Sequence, residues 1–183
     1  MRIITGKARG LKLFTPKDYR VRPTADRVKE ALFNIIAGYL PDAQILDAFA
    51  GTGNLGLEAW SRGAKKVYFV DASNDSLQLV RSNVAKARAE AQVKIVKGTT
   101  PGEFARLAHQ GIKFDIVFSD PPYDKGLNQA LYEGLVKTKI LKSGGLLVLE
   151  HSLNENPTDY VAPDLQIRTE KYGDTKISLI VWK

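Results

Sequence analysis

The stretch 44-QILDAFAGTGNLG-56 decides the fold. A short apolar run carries Asp47, and then Gly51-x-Gly53-x-x-Gly56 leads into a helix-like segment over 55–62. Glycines between a strand and a helix let the backbone turn tightly and approach a ligand with no Cβ in the way. The next apolar run, 66-KVYFVD-71, ends on Asp71, 20 residues after Gly51. That spacing puts a carboxylate where it can accept hydrogen bonds from two ribose hydroxyls, so the unit reads as a nucleoside site.

Outward from this unit, short apolar segments alternate with helix-like ones. Further strands are expected at 92-QVKIVK-97, 113-KFDIVFSD-120 and 145-GLLVLE-150, with helices near 73–90, 101–110 and 127–139. In the 73–90 helix, Leu77, Val80 and Val84 face inward. Before the first strand, Pro23-Thr24 opens a helix with Thr24 as N-cap, and Val28, Leu32, Ile35, Ile36 and Tyr39 mark its apolar face. Residues 2–5 and 11–14 pair as a small hairpin around Gly6–Gly10. In the tail, 165-LQIRTEKY-172 and 175-TKISLIVW-182 flank the hairpin signal Gly173-Asp174, after a polar, proline-punctuated loop over 152–164. Strands alternating with helices, then a terminal hairpin, predict an α/β fold: a doubly wound, mostly parallel sheet with an antiparallel edge. Ligands in such sheets sit beyond the carboxyl ends of the strands, where strand order reverses, so the chemistry belongs just after strands one, two and four.

Composition narrows the classes. The 183 residues, 44% hydrophobic and 26% charged, suit one globular domain with its own core. The chain has no cysteine, which excludes disulfides, thiol nucleophiles, cysteine-ligated zinc and iron–sulfur clusters, and suits a reducing cytoplasm. The opening MRIITGKARG is not a signal peptide, and runs such as Leu146–Leu149 are too short to span a bilayer. The two histidines, His109 and His151, fall in no ligand-spaced cluster and read as surface or supporting residues, so no metal is expected. Of the net charge of +7, residues 1–30 carry +6, from nine Lys/Arg against three acids. A concentrated basic arm on a near-neutral body is the electrostatic footprint of a polyanion binder.

The kind of nucleoside cofactor follows from Asp47. A dinucleotide site aims a helix N-terminus at a pyrophosphate, and a carboxylate four residues before Gly51 repels that group. It suits a ligand carrying an α-amino group and a sulfonium, favouring S-adenosylmethionine over NAD. The fourth strand runs into Asp120-Pro121-Pro122-Tyr123. Pro121 keeps Asp120 extended, and the two prolines remove N–H donors. What remains is a carboxylate and backbone carbonyls, a pocket of acceptors that suits the two hydrogens of a neutral exocyclic amine. Tyr123 adds a flat ring on which a base can stack, worth about 1–3 kcal/mol. Holding both hydrogens favours a tetrahedral nitrogen and stabilises the charge that develops as a methyl arrives.

DAFAGTGNLG, Asp71 and DPPY resemble motifs of the amino-group methyltransferases that use S-adenosylmethionine. RIITGKARGLKL followed by 22-RPTADRVKEALFN-34 is similar to the opening of the RsmD family of bacterial 16S rRNA (guanine-N2) methyltransferases, and the resemblance runs from residue 2 to the end. It implies a Rossmann-like, seven-stranded methyltransferase fold over 23–183 behind a basic hairpin arm over 1–22. It implies that Asp47, Phe49, Gly51, Thr52, Gly53 and Asn54 line the cofactor's methionine end. Asp71 takes the ribose, with Ala72 and Ser73 near the adenine. Asp120, Pro121, Pro122 and Tyr123 hold the target base. Arg2, Lys7, Arg9 and Lys12 grip rRNA phosphates, and Arg22, Thr24 and Arg27 close over cofactor and substrate. Where relatives commonly carry Asp or Asn followed by Ala, this chain has 98-GTTP-101, and Thr99 or Thr100 supplies the adenine contact through a hydroxyl. The resemblance further implies a cytoplasmic monomer acting on an assembled or partly assembled small subunit, with no membrane.

Three other readings fit the residues less well. A DNA or tRNA amino-methyltransferase shares the cofactor and the chemistry, but only about 40 residues precede strand one, too few for a separate base-reading region. A dinucleotide oxidoreductase conflicts with Asp47 and the DPPY turn. An RNA-binding ribosome assembly factor without activity has no need of both Asp120 and an intact glycine turn.

Overall fold

The computed structural model describes residues 1–16, 23–123 and 125–183. Its single sheet has seven strands: β1 (Gln44–Asp47), β2 (Lys66–Asp71), β3 (Val93–Lys97), β4 (Phe114–Ser119), β5 (Leu141–Ser152), β6 (Gln166–Tyr172) and β7 (Thr175–Val181). The order across the sheet is β3-β2-β1-β4-β5-β7-β6, with β1 to β5 parallel and β7 antiparallel to both β5 and β6. Strand order therefore reverses at β1, and the chain leaves the paired ends of β1 and β4 toward opposite faces of the sheet, which opens a crevice there.

The helices are α1 (Pro23–Ile35), α2 (Asn54–Ser61), α3 (Asn74–Ala87), α4 (Phe104–His109) and α5 (Leu127–Thr138). Successive strand residues point to opposite faces, so two apolar layers result. On one face Ile45, Phe69, Ile116 and Phe118 pack against Phe33 of α1, Leu57 of α2 and Val80 and Val84 of α3. On the other, Leu46, Tyr68 and Val117 pack against Phe104 and Leu107 of α4 and Leu131 and Leu135 of α5. Burial on both faces is why the central strands read as continuous apolar runs.

Several expectations shift. The first helix already includes Pro23, so Thr24 lies inside its first turn rather than capping it. It ends at Ile35, and the chain passes into a single 3-10 turn, Ala37–Tyr39, which leaves Tyr39 40% exposed, while the unpredicted Phe33 is fully buried. The 101–110 helix shrinks to Phe104–His109. The fifth strand extends to Ser152 because β7 keeps pairing with it as far as Ser152 and Thr175. His151 is wholly buried in β5, with Nε2 2.8 Å from Ser178 Oγ, whereas His109 is exposed. The N-terminal hairpin narrows to one antiparallel bridge, Arg2 with Lys12, whose inner residues Ile3 and Leu13 join the core. Among the described residues no helix is long and apolar enough to cross a membrane.

Candidate active site

The chain leaves β1 through Gly51 and Gly53, at φ 54° and 79°, a left-handed region that glycine enters without strain. Asp71, at the end of β2, fixes this turn. Its Oδ2 accepts the Gly51 N–H at 2.9 Å and its Oδ1 the Ser73 N–H at 2.8 Å. A carboxylate has about four acceptor positions, so Asp71 retains capacity for ribose hydroxyls. Ser73 caps α3 through the Ser76 N–H.

Asp47 is buried, and its Oδ2 accepts the Gly56 N–H at 2.9 Å. Burial first, and then the Asp71 carboxylate, push the Asp47 carboxyl up to about 7, against the pull of the Gly56 bond. Gly56 is required sterically: a Cβ there would meet the Phe69 ring at 2.3 Å.

A cleft of about 590 Å³ opens beside this turn. Asp47, Phe49, Gly51, Thr52 and Asn54 form one wall, and Asp120 and Tyr123 another. Glu150 and the β6–β7 turn from Tyr172 to Thr175 form the third, with Lys29 and Leu32 of α1 above. The structure thus brings the glycine turn and the DPPY turn into one cavity. Other predicted residues stand back from it. Thr100 is buried and donates its hydroxyl to the Ala48 carbonyl at 2.8 Å, bracing the end of β1. Ala72, Ser73 and Thr99 are exposed outside the cleft wall, as is Pro122, while Pro121 is buried.

Asp120 follows β4 directly, one step beyond the Ser119–Leu149 pair of β4 and β5, which sets it beside Glu150. In-register parallel neighbours share a face, so Asp47, Asp120 and Glu150 all project on the face that carries Phe118 and Val148. Asp120 is exposed to the cleft. Desolvation, then Glu150, then Asp47 raise its carboxyl well above the ordinary carboxylate range. Water in the open cleft moderates that rise. Burial likewise raises Glu150, although Tyr123 and Thr175 hydroxyls hydrogen-bond to it and oppose the rise. The Tyr123 hydroxyl donates to Glu150 Oε1 at 3.0 Å and lies 2.7 Å from Thr175 Oγ1.

Three residues here escaped the sequence reading. Glu150 ends an apolar run just as Asp47, Asp71 and Asp120 do, and that shared pattern was the available signal. Asn128, buried at the start of α5, accepts from Ser119 Oγ at 2.7 Å and donates to the Glu150 carbonyl at 3.0 Å, clamping the ends of β4 and β5 together. Lys29 is buried, donates to Asn54 Oδ1 at 2.7 Å and to the Arg2 carbonyl at 2.6 Å, and pairs with Glu58 at 3.1 Å.

Of the predicted phosphate contacts, Arg2, Arg9 and Arg27 line a second hollow of about 600 Å³ together with the acids Asp26 and Glu30. Arg2 reaches Asp26 at 3.4 Å. Lys7 instead rests over the Trp60 ring, 4.0 Å from its centroid, and Lys12, the bridge partner of Arg2, is exposed. Arg22 lies outside the described residues.

The family described as conserved hypothetical protein 95 matches residues 1–181. The chain belongs to this family, the RsmD family. It is 36% identical over 171 residues to the ribosomal RNA small subunit methyltransferase D of Escherichia coli (strain K12), covering 93% of this chain and 84% of that one. A solved Escherichia coli structure, yhhF, matches this RsmD-family chain with a TM-score of 0.84 at 35% identity, covering 98% and 96% of the two chains. The O-methyltransferase of Bacillus cereus, solved in complex with SAH, shares the fold at a TM-score of 0.68 and 18% identity, covering 90% of this chain and 83% of that one. The RsmD-family chain thus has the Rossmann-like methyltransferase fold that the resemblance implied.

Proposed function

We propose that this chain transfers a methyl group from S-adenosylmethionine to the exocyclic N2 amine of a guanine in the 16S rRNA of the small ribosomal subunit. The observation that carries this reading is one cleft holding both the glycine turn with its buried Asp47 and the Asp120–Tyr123 turn. The name of the Escherichia coli relative supports the substrate class.

The residues fit that cofactor. Its α-ammonium and sulfonium offer Asp47 the positive charge that a buried carboxylate lacks, and Asp71 keeps acceptor capacity beside the turn. When bound, S-adenosylmethionine supplies a methyl made electrophilic by its sulfonium, and the electron pair of the breaking bond stays on sulfur. The chain's own residues prepare the acceptor. Asp120 and the carbonyls of the proline turn accept the two amine hydrogens and leave the nitrogen lone pair aimed at the methyl. Positive charge grows on that nitrogen, and the carboxylates of Asp120 and Glu150 stabilise it. The nitrogen then gives up a proton, and Asp120, with its raised proton affinity, is placed to take it. Tyr123, 41% exposed at the rim, offers its ring to the base.

Nucleoside mass spectrometry of 16S rRNA from cells with and without the gene tests the reading. One N2-methylguanosine is expected to disappear and to return on treatment with purified protein and S-adenosylmethionine. Asp120→Ala is expected to bind cofactor and restore nothing. An unchanged rRNA profile overturns the target, and methylation by Asp120→Ala at the wild-type rate overturns the acceptor pocket.

A further inference from the structure

An acceptor pocket for an amine does not by itself choose among nucleobases, since adenine, cytosine and guanine all carry an exocyclic NH2. They differ at the adjacent ring nitrogen. In guanine N1 is a donor, N1–H, whereas the corresponding nitrogens of adenine (N1) and cytosine (N3) carry a lone pair. A reader of guanine therefore needs a second acceptor beside the first, and a reader of adenine or cytosine needs a donor.

Glu150 meets that need by position. It neighbours Asp120 across β4 and β5, one step past the Ser119–Leu149 pair, and lines the same cleft. Asn128 fixes the spacing by bridging Ser119 to the Glu150 carbonyl. Oε1 of Glu150 is held by the Tyr123 hydroxyl at 3.0 Å, and no described residue hydrogen-bonds to Oε2. The residue that offers a ring to the base thus also orients the carboxylate beside it. Burial disfavours the charged form of this carboxyl, and an N1–H donor to Oε2 would favour it, as the Tyr123 and Thr175 hydroxyls do at Oε1.

We infer that Glu150 is the specificity residue of the site: its carboxylate accepts the N1–H of the target guanine while Asp120 holds the N2 amine. This rests on the guanine-N2 reading above. It excludes adenine and cytosine by lone-pair repulsion, and it gives Tyr123 a role in positioning Glu150 in addition to stacking.

2-Aminopurine separates the two carboxylates, because it keeps the 2-amino group and lacks N1–H. The guanine mapped by mass spectrometry is replaced by 2-aminopurine in splint-ligated 16S rRNA, reconstituted into small subunits, and kcat/KM is measured for both substrates. Wild-type protein is expected to prefer guanine by about 100-fold or more, the scale set by leaving a buried acceptor unpaired. Glu150→Gln presents an amide that can donate to N1 of 2-aminopurine, and is expected to narrow the preference to about tenfold or less. Tyr123→Phe, which removes the nearer of the two hydroxyls on Oε1 and keeps the ring, is expected to fall between. A wild-type protein that methylates both substrates equally overturns the inference whatever the variants do. So does Glu150→Gln lowering both rates in parallel with the preference intact, the signature of a purely structural role. A wild-type protein silent on guanine-containing subunits instead overturns the underlying reading.

Discussion

Asp47 accepts a hydrogen bond of 2.9 Å from the N–H of Gly56, nine residues along the same chain. The bond folds the glycine turn back onto the strand that begins it and buries a carboxylate at the wall of the cleft. Burial and the nearby Asp71 raise its pKa from the ordinary 3.8 to about 7. An acid whose folded pKa is raised binds its proton more tightly when folded. Its effect on stability is therefore most favourable below the unfolded value and declines as pH rises from about 4 to about 7. Urea melts of the unliganded protein are expected to give lower midpoints at pH 8 than at pH 5, and Asp47→Asn is expected to flatten that difference. A cationic cofactor draws the proton off, so calorimetry near pH 6.5 in buffers of different ionisation enthalpy is expected to detect proton release on binding of S-adenosylmethionine. Binding with no proton released contradicts the pairing of Asp47 with the cofactor's charge.

Gly56 tests the same turn by volume rather than charge. A methyl at this position falls 2.3 Å from Cε1 of Phe69 and 2.8 Å from Cγ1 of Val67, both wholly buried. Neither can step aside, so Gly56→Ala is expected to destabilise by about 1–3 kcal/mol. Phe69→Leu in the same chain is expected to recover part of the loss, because the edge that clashes is then absent. Denaturant midpoints check both, and an Ala variant as stable as wild type shows that α2 can shift away from β2.

Much of this architecture was legible because its signals are local. FDIVFS and KVYFVD are apolar because each strand is covered on both faces, and the glycine spacing of the turn records a backbone path only a few residues long. Glu150 was hidden because its neighbour in space is Asp120, thirty residues away, and that adjacency depends on strand order. Lys29 and Asn128 are polar residues within helices, and no local pattern marks them as buried. Their burial comes from partners on other elements, Glu58 and Asn54 for Lys29, Ser119 and the Glu150 carbonyl for Asn128. Tyr39 erred the other way: the apolar period continues past Ile35, but the helix does not.

Glu58 anchors the N-terminal segment. It is fully buried and accepts from the N–H groups of Ile4 and Thr5 at 2.8 and 3.1 Å, while pairing with Lys29 at 3.1 Å and Arg62 at 2.8 Å. Removing it takes the carboxylate from two buried cations, Lys29 and Arg62, the second of which already keeps its buried Nη2 without a hydrogen bond among the described residues. Glu58→Ala is expected to destabilise by about 3–5 kcal/mol. It is also expected to release the first residues, seen as faster amide exchange at Ile4 and Thr5 than at the amides of the sheet. Uniform loss of protection, with no excess at those two amides, argues that the anchor acts on the whole core instead.

The basic arm divides into cations that are free to meet phosphate and cations already engaged. Arg9 is exposed and lines the hollow shared with Arg2 and Arg27. Lys7 lies over Trp60, 4.0 Å from the ring centroid, a contact worth about 0.5–1 kcal/mol at an exposed site. Each phosphate contact contributes about 0.7–0.9 to the slope of log affinity against log salt concentration. Arg9→Ala is therefore expected to reduce that slope by about one contact's share, while Lys7→Ala changes it less and lowers thermal stability slightly. Fluorescence anisotropy titrations of an rRNA fragment at several salt concentrations measure both slopes. An unchanged slope for Arg9→Ala removes the hollow from the RNA path, and an equal fall for Lys7→Ala shows that its ammonium leaves Trp60 to reach the RNA.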